Sequence, residues 1–214
     1  MHELGLTIRR VLVVIIVGIV ALLYIWPTHH PVRERERRIK CMNNLREIGM
    51  GCAMYASDFG GWYPTVGGPN REGRPLASLA LLCDKYVDNP KIFVCPSTTD
   101  NCADLRPGQS FSPHGQASAP GERRQCSYGY DDTRGRDTKS NIVIAGDAPP
   151  SDAQAGGKGK NSDNHFGDGQ NVLMYGGNTV PWITNTINPK IPGDDIYSAA
   201  DPKNPGVSDS YIHQ

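Results

Sequence analysis

The first sixty residues carry two hydrophobic patterns, of which the first is an apolar run at 11–26 without a single charge. Sixteen helical residues extend about 24 Å, against about 30 Å of bilayer hydrocarbon. The span suffices if Arg9 and Arg10 snorkel to the interface, and Tyr24 and Trp26 end the run where amphipathic rings prefer to lie. The pattern therefore predicts a transmembrane helix over 11–26.

A short head, residues 1–10, precedes this run. A cleaved secretory signal is the alternative interpretation, but the flank "WPTHHPVRERE" lacks the small residues of a cleavage site. Pro27 is expected to interrupt the helix, because proline lacks the N–H and its ring clashes with the preceding turn.

The second pattern predicts an amphipathic helix over 27–60, resuming near Val32. Apolar residues recur there at spacings of 4, 3, 4, 3 and 4, which places them on one helix face. The stripe consists of Cys41, Leu45, Ile48, Cys52, Tyr55 and Phe59. Gly60, Gly61 and Pro64 are expected to end the helix.

The sequence after residue 60 predicts a globular part over 61–184 and an irregular C-terminal tail over 185–214. A short helix is expected at 76–87. Strand-like runs lie at 91–95, 126–130, 141–146, 171–175 and 179–183, with long loops at 97–125 and 147–170. A long helix followed by strands indicates an α+β fold, in which the helix packs on a small antiparallel sheet.

The charge balance and the motifs favour a non-catalytic protein. Lys+Arg and Asp+Glu both number 22 in the 214 residues, so nothing calls for nucleic acid as a partner. The sequence has no nucleophile elbow, no phosphate-binding loop and no HExxH motif.

Six cysteines, an even number in a domain rich in glycine and proline, suit an oxidising compartment. Their spacing fits no metal motif, and a zinc site with His114 or His165 is disfavoured. Cys41 and Cys52 are expected to be core residues. Cys95 is expected to form a disulfide with Cys126 or, as the rival partner, with Cys102, because Cys95 and Cys126 border strand-like runs that could be neighbours.

No cofactor is expected, with calcium as the one candidate ion. Asp163 and Asp168 in "NSDNHFGDGQ" could offer oxygens, and so could Asp194 and Asp195 in "PGDDIY". The spacing is not that of an EF-hand, and tight turns explain the same residues more simply.

Two stretches carry a resemblance to a known family. "CMNNLREIGMGCAMYASDFGGWYP" resembles the block that follows the N-terminal helix in type IV pilin-like proteins, most closely the planctomycete-type family called domain of unknown function 1559. "NHFGDGQNVLMYGGNTVPW" resembles that family's processing-associated signature. The positions that match are Cys41, Asn44, Leu45, Ile48, Gly49, Tyr55, Pro64, His165, Gly169, Asn171, Val172, Leu173 and Gly177.

The head is similar to a prepilin N-terminus, with Gly5 as the last leader residue and Leu6 as the first residue after it. Pro27 then falls at the mid-helix proline that many pilins carry. Arg10 departs from the pattern, because it occupies the place of a glutamate. Unlike a glutamate, an arginine cannot neutralise a neighbouring subunit's amine, so we expect poor assembly through the usual pilin contact.

The resemblance implies a membrane-anchored, pilin-like or pseudopilin-like structural subunit of the cell envelope. It would pass once through the inner membrane and place its globular domain in the periplasm or at the cell surface, although a count of positive flanking charges favours the cytoplasm. Its partners would be the bilayer and other pilin-like subunits or secretion machinery of the type II kind. The alternative is an anchored extracytoplasmic binding domain that never polymerises and uses loops 97–125 and 147–170.

Overall fold

The computed structural model describes part of the chain and divides it into two compact units. The units are residues 1–36 and 37–214. The described residues are 2–66, 75–100, 126–135, 138–150, 160–176, 180–192, 194–197 and 212, without the side chains of 2–8 and 23–31.

Helix α1 runs from His2 to Asp58, so both units contain a part of it. The predicted interruption at Pro27 is wrong, because the apolar run and the amphipathic stretch after it lie in this one helix. Proline removes one helical hydrogen bond, but its fixed φ is itself helical, so helix-forming residues on both sides can continue through it.

The first unit presents apolar side chains to the surroundings. Ten large aliphatic residues between Val11 and Leu22 are each at least 50% exposed. Arg9 and Arg10 are also exposed. Among the residues that the structure describes, no helix is both long enough and apolar enough to cross a membrane.

In the second unit, α1 buries one face. Cys41, Leu45, Ile48 and Cys52 are 0% exposed, which confirms the predicted stripe over these four residues. The prediction is wrong at Phe59, which is 50% exposed. The helix ends one residue earlier, and Gly60 and Gly61 turn the chain away with φ of 63° and 93°.

Two short elements follow α1. Helix α2 spans Pro75–Ala80, so the predicted helix at 76–87 is too long; Asp84, at φ 69°, leaves the helical conformation. Pro90–Phe93 is a 3₁₀ helix, not the strand predicted at 91–95. Pro90 at its start and the Asn89 side chain, which accepts from the Lys91 N–H, favour that turn.

In the described part of the chain, four strands form one antiparallel sheet with the order β1-β2-β3-β4. They are β1 Tyr128–Tyr130, β2 Val143–Asp147, β3 Gln170–Met174 and β4 Trp182–Ile183. Tyr128 lies opposite Asp147, and Asn171 lies opposite Trp182. The predicted α+β class with a small antiparallel sheet is confirmed.

The sheet is covered on both faces, since every residue of β1, β2 and β3 is buried. Alternate residues point to opposite faces of a strand. Ile144 and Leu173 join the core with α1 and α2, whereas Val143 and Val172 join a second core with Ile196 and Ile212. The described part of 185–214 has no helix or strand element, but it covers this second face.

Candidate functional site

Four buried side chains meet between α1 and the sheet. We call Cys41, Cys95, Asp147 and His165 the buried cluster. Each is 0% exposed, and the two sulfurs, one carboxylate oxygen and one ring nitrogen all lie within 4.8 Å of one another. Among the described residues, no other group of His, Cys, Asp and Glu side chains is close enough to share an ion.

The contacts inside the buried cluster are short. Cys41 Sγ donates to Asp147 Oδ1 at 2.9 Å. Cys95 Sγ lies 3.4 Å from His165 Nε2, and His165 Nε2 lies 3.6 Å from Asp147 Oδ2. The thiols, the carboxylate and the imidazole therefore face one common point.

Different elements bring the four residues together. Cys41 begins the buried stripe of α1, and Cys95 comes two residues after the 3₁₀ helix Pro90–Phe93. Asp147 is the last residue of β2. His165 lies in a second 3₁₀ helix, Asn164–Gly167.

The backbone at His165 is strained. His165 has φ 55° and Phe166 has φ 61°, both in the left-handed region, which costs non-glycine residues roughly 1–2 kcal/mol each. This conformation brings the imidazole into the core while Phe166 stays 74% exposed. Strain of this kind persists only where other contacts fix the geometry.

Asp147 is surrounded by donors. The Asn171 backbone N–H donates to Oδ2 at 2.7 Å, and Asn164 Nδ2 donates to Oδ1 at 3.1 Å. A fully buried carboxylate needs such bonds, because burial without them is costly.

Asn44 and Tyr128 support the two cysteines. Asn44 Nδ2 donates to the Val94 carbonyl at 3.0 Å, next to Cys95, and to the Tyr128 hydroxyl at 3.2 Å. The Tyr128 hydroxyl in turn donates to Cys41 Sγ at 3.2 Å.

Trp182 of β4 covers the histidine side. Its ring lies edge-on to His165 with centroids 5.4 Å apart. The Arg38 guanidinium lies 4.3 Å from the centroid of the Trp182 ring and pairs with Asp168. A cation over an indole ring is favourable, so Arg38 helps to hold the aromatic cover in place.

Burial and the contacts within the cluster shift the pKa values of Asp147, Cys41 and Cys95. Burial raises the pKa of Asp147, against the lowering effect of His165. Burial, followed by the contact with Cys95, raises the pKa of the Cys41 thiol well above its usual value. The hydrogen bond with Cys41 lowers the pKa of Cys95, aided by His165 and against burial. Cys95 is thus the more acidic thiol, and all four side chains are of types that ligate metals.

The residues singled out by resemblance divide between this site and the core. Cys41, Asn44, His165 and Asn171 lie in or next to the buried cluster. The remaining described ones are buried or half-buried in the second unit: Leu45, Ile48, Gly49, Tyr55, Pro64, Gly169, Val172 and Leu173. Gly177 lies outside the described residues. Gly5, Leu6 and Pro27 belong to α1, and Arg10 is exposed there.

The structure corrects the expected disulfide. Cys95 is a free thiol, although the Ser127 N–H does donate to the Phe93 carbonyl at 2.9 Å. The sulfurs face different partners, since Cys126 Sγ contacts the Tyr128 carbonyl and Cys95 Sγ contacts His165. Cys102 lies outside the described residues.

The four aspartates considered as calcium ligands lie outside the buried cluster. Asp163 and Asp168 are exposed, and Asp168 pairs with Arg38. Asp194 is buried and accepts from Asn188 Nδ2 at 2.8 Å, while Asp195 accepts from the Tyr197 N–H. Calcium binding by these aspartates stays a prediction from sequence.

Sequence reasoning missed Asp147 and Tyr128. The one available signal for Asp147 was its position, a charged residue directly after the apolar run "IVIAG". The cluster itself had no signal in the cysteine spacing, because its four members are scattered from residue 41 to residue 165.

A model of one protein family matches residues 30–77, a segment that begins before Cys41 and ends in α2. The family is described as "Protein of unknown function (DUF1559)". Over this segment the chain is similar to the family. The description assigns no activity, so the family does not decide the function. No curated protein and no solved structure matches the chain.

Proposed function

We propose that this protein is a membrane-anchored, pilin-like or pseudopilin-like structural subunit of the bacterial cell envelope. The observation that carries the proposal is the exposed apolar stretch of α1 between Val11 and Leu22. A soluble monomer rarely exposes so much contiguous apolar surface, so lipid or neighbouring helices would cover it. The length of α1, His2–Asp58, supports a pilin-like arrangement.

The proposed role is association without catalysis. The buried cluster is 0% exposed and therefore presents no open face to a substrate. The exposed stretch of α1 would contact the bilayer and other pilin-like subunits or secretion machinery. Following the resemblance, the second unit would lie in the periplasm or at the cell surface, on a helix anchored in the inner membrane.

A second candidate is an anchored binding domain that does not polymerise. Arg10 favours it, because this exposed cation stands at the start of the apolar stretch, and residues 9–22 contain no acidic side chain. Unpaired charge is costly inside an apolar assembly of helices. Loops 97–125 and 147–170 would then provide the binding surface.

A topology experiment tests the proposal. A reporter that is active only outside the cytoplasm, fused after Gln214, should be active, and the fusion should stay with the membrane after alkaline extraction. A matched fusion lacking residues 9–22 should be released from the membrane. Activity of a cytoplasmic reporter at the same site would contradict the proposed orientation.

The same membrane fraction distinguishes the two candidates. A structural subunit should be found cross-linked to further copies or to other helical subunits, with the N-terminal mass showing whether processing has occurred after Gly5. An intact N-terminus together with an exclusively monomeric chain would favour the binding domain and contradict assembly.

A further inference from the structure

We infer that the buried cluster is a structural zinc site, in which Cys41, Cys95, Asp147 and His165 ligate one divalent ion. Two thiolates and an imidazole are the ligands that zinc prefers, and a carboxylate oxygen is a common fourth ligand. The spacing of the cysteines in the sequence disfavoured a zinc site. Such spacing motifs, however, identify only ligands that lie close together in the chain. Here the fold assembles them from four separate elements.

Two of the distances fit tetrahedral coordination. With zinc–ligand bonds of about 2.0–2.3 Å, a tetrahedron places its ligand atoms roughly 3.3–3.8 Å apart. Cys95 Sγ and His165 Nε2 are separated by 3.4 Å, and His165 Nε2 and Asp147 Oδ2 by 3.6 Å. The shorter contact from Cys41 Sγ to Asp147, at 2.9 Å, is a hydrogen bond that uses the thiol proton.

Zinc binding releases that proton. Each cysteine loses its thiol proton to solvent as its sulfur bonds to the ion, and Asp147 binds as a carboxylate. The neutral imidazole binds through Nε2. The two thiolates and the carboxylate then share one divalent cation, which leaves a single net negative charge at the centre.

Neighbouring donors stabilise that remaining charge. The Tyr128 hydroxyl reaches Cys41 Sγ, and Asn164 Nδ2 and the Asn171 N–H reach Asp147. Such outer contacts orient metal ligands and tune their affinity. The left-handed backbone at His165 has the same consequence, because it turns the imidazole toward the other three side chains.

The ion would act as a cross-link. Four protein ligands close the coordination sphere, as in structural zinc sites, and no member of the buried cluster is exposed. The bonds would tie α1, the segment after the first 3₁₀ helix, the end of β2 and the second 3₁₀ helix together. A disulfide between Cys41 and Cys95 would join only two of these and leave Asp147 and His165 as a buried ion pair.

Metal analysis of the full-length chain tests the inference. The chain is purified in detergent without chelators, and its zinc is measured by mass spectrometry. A separate sample, with its thiols trapped at lysis, reports any disulfide. The expected result is one zinc per chain. Cys95→Ser and His165→Gln should lose the zinc. Cys52→Ser changes an equally buried thiol that lies on α1 outside the cluster, and this variant should keep the zinc.

Asn164→Ala tests the hydrogen bond from Asn164 Nδ2 to the Asp147 carboxylate. It keeps all four ligands but removes a donor to Asp147, so its zinc affinity should fall by about 10–100-fold. Unchanged affinity would contradict the coordination of Asp147.

A measurement on the unaltered chain covers the case in which ligand variants fail to fold. Replacement of zinc by cobalt(II) should produce the thiolate-to-cobalt charge-transfer band and the visible absorption of a tetrahedral site. A Cys41–Cys95 disulfide in the trapped sample, zinc retained by the ligand variants, or cobalt spectra without a thiolate band would each overturn the inference.

Discussion

Gly169 leaves no room for a side chain. A Cβ there would lie 2.4 Å from the Ile183 carbonyl oxygen and 2.8 Å from the Trp182 ring, and the residue has φ 156°. The close approach of β4 to this glycine positions Trp182, which covers His165. The geometry of the buried cluster therefore depends on a residue outside it.

We expect Gly169→Ala to lower the free energy of unfolding by more than the roughly 1–3 kcal/mol of backbone strain alone. Gly176→Ala is the matched control, because Gly176 also has positive φ, at 94°, but a Cβ there would meet no atom within 4 Å. Denaturation of the full-length chain, followed by tryptophan fluorescence, measures both. Equal losses would show that β4 is free to move away from position 169.

Some residues of the site could be predicted from the sequence and others could not. Cys41, Asn44, His165 and Asn171 lie in stretches whose local pattern resembles a family, so sequence alone could select them. Asp147 could not be selected in this way. Its importance comes from a contact with Cys41, 106 residues away in the chain, and no local pattern records such a partner.

At the scale of elements, the buried face of α1 packs in the same core as the sheet. Leu45 and Ile48 are 0% exposed and pack in the same core as Tyr128, Ile144 and Leu173. The face thus places the helix that carries Cys41 in one core with β1, β2 and β3.

Leu45→Asp or Ile48→Asp should unfold the second unit, because each places a charge in an apolar core at a cost of several kcal/mol. Arg46→Asp, on the exposed side of the same helix, should be tolerated. Limited proteolysis of the full-length chains compares the three. If Arg46→Asp were as protease-sensitive as the other two, the helix would not pack by this face.

Periodicity predicted the long helix better than the short elements. The stripe from Cys41 to Cys52 was correct because a spacing of three and four residues has one helical interpretation. The stretch 91–95 was wrong because a short apolar run fits a strand or a helical turn equally well. The 3₁₀ turn forms there because the Asn89 side chain accepts a hydrogen bond from the Lys91 N–H and Pro90 has a fixed φ.

At the scale of the molecule, the second core makes the C-terminal region part of the fold. Ile196 and Ile212 are 0% and 1% exposed and pack with Val143, Val172 and Met174. The Ile212 N–H donates to the Ile196 carbonyl at 2.7 Å. A scarcity of apolar residues suggested a tail, but a few well-placed isoleucines suffice to cover one face of a four-stranded sheet.

Ile196→Ala should therefore lower the free energy of unfolding by about 2–5 kcal/mol, as large-to-small core substitutions do. Ile187→Ala, in the same region but at a position that is 37% exposed, should cost much less. Chemical denaturation of the full-length chain gives both values. A loss for Ile196→Ala as small as that for Ile187→Ala would show that the second core contributes little to stability.

The order of the strands has a consequence for how the chain reaches its folded state. Each strand pairs with the next one in sequence, so the sheet can form from contacts that are comparatively local. The contacts from α1 are much more distant, with Cys41 and Asp147 separated by 106 positions. Distant contacts form more slowly, since a long loop must first close. We therefore expect helix docking to be a late step, before which Cys41 would be an accessible thiol.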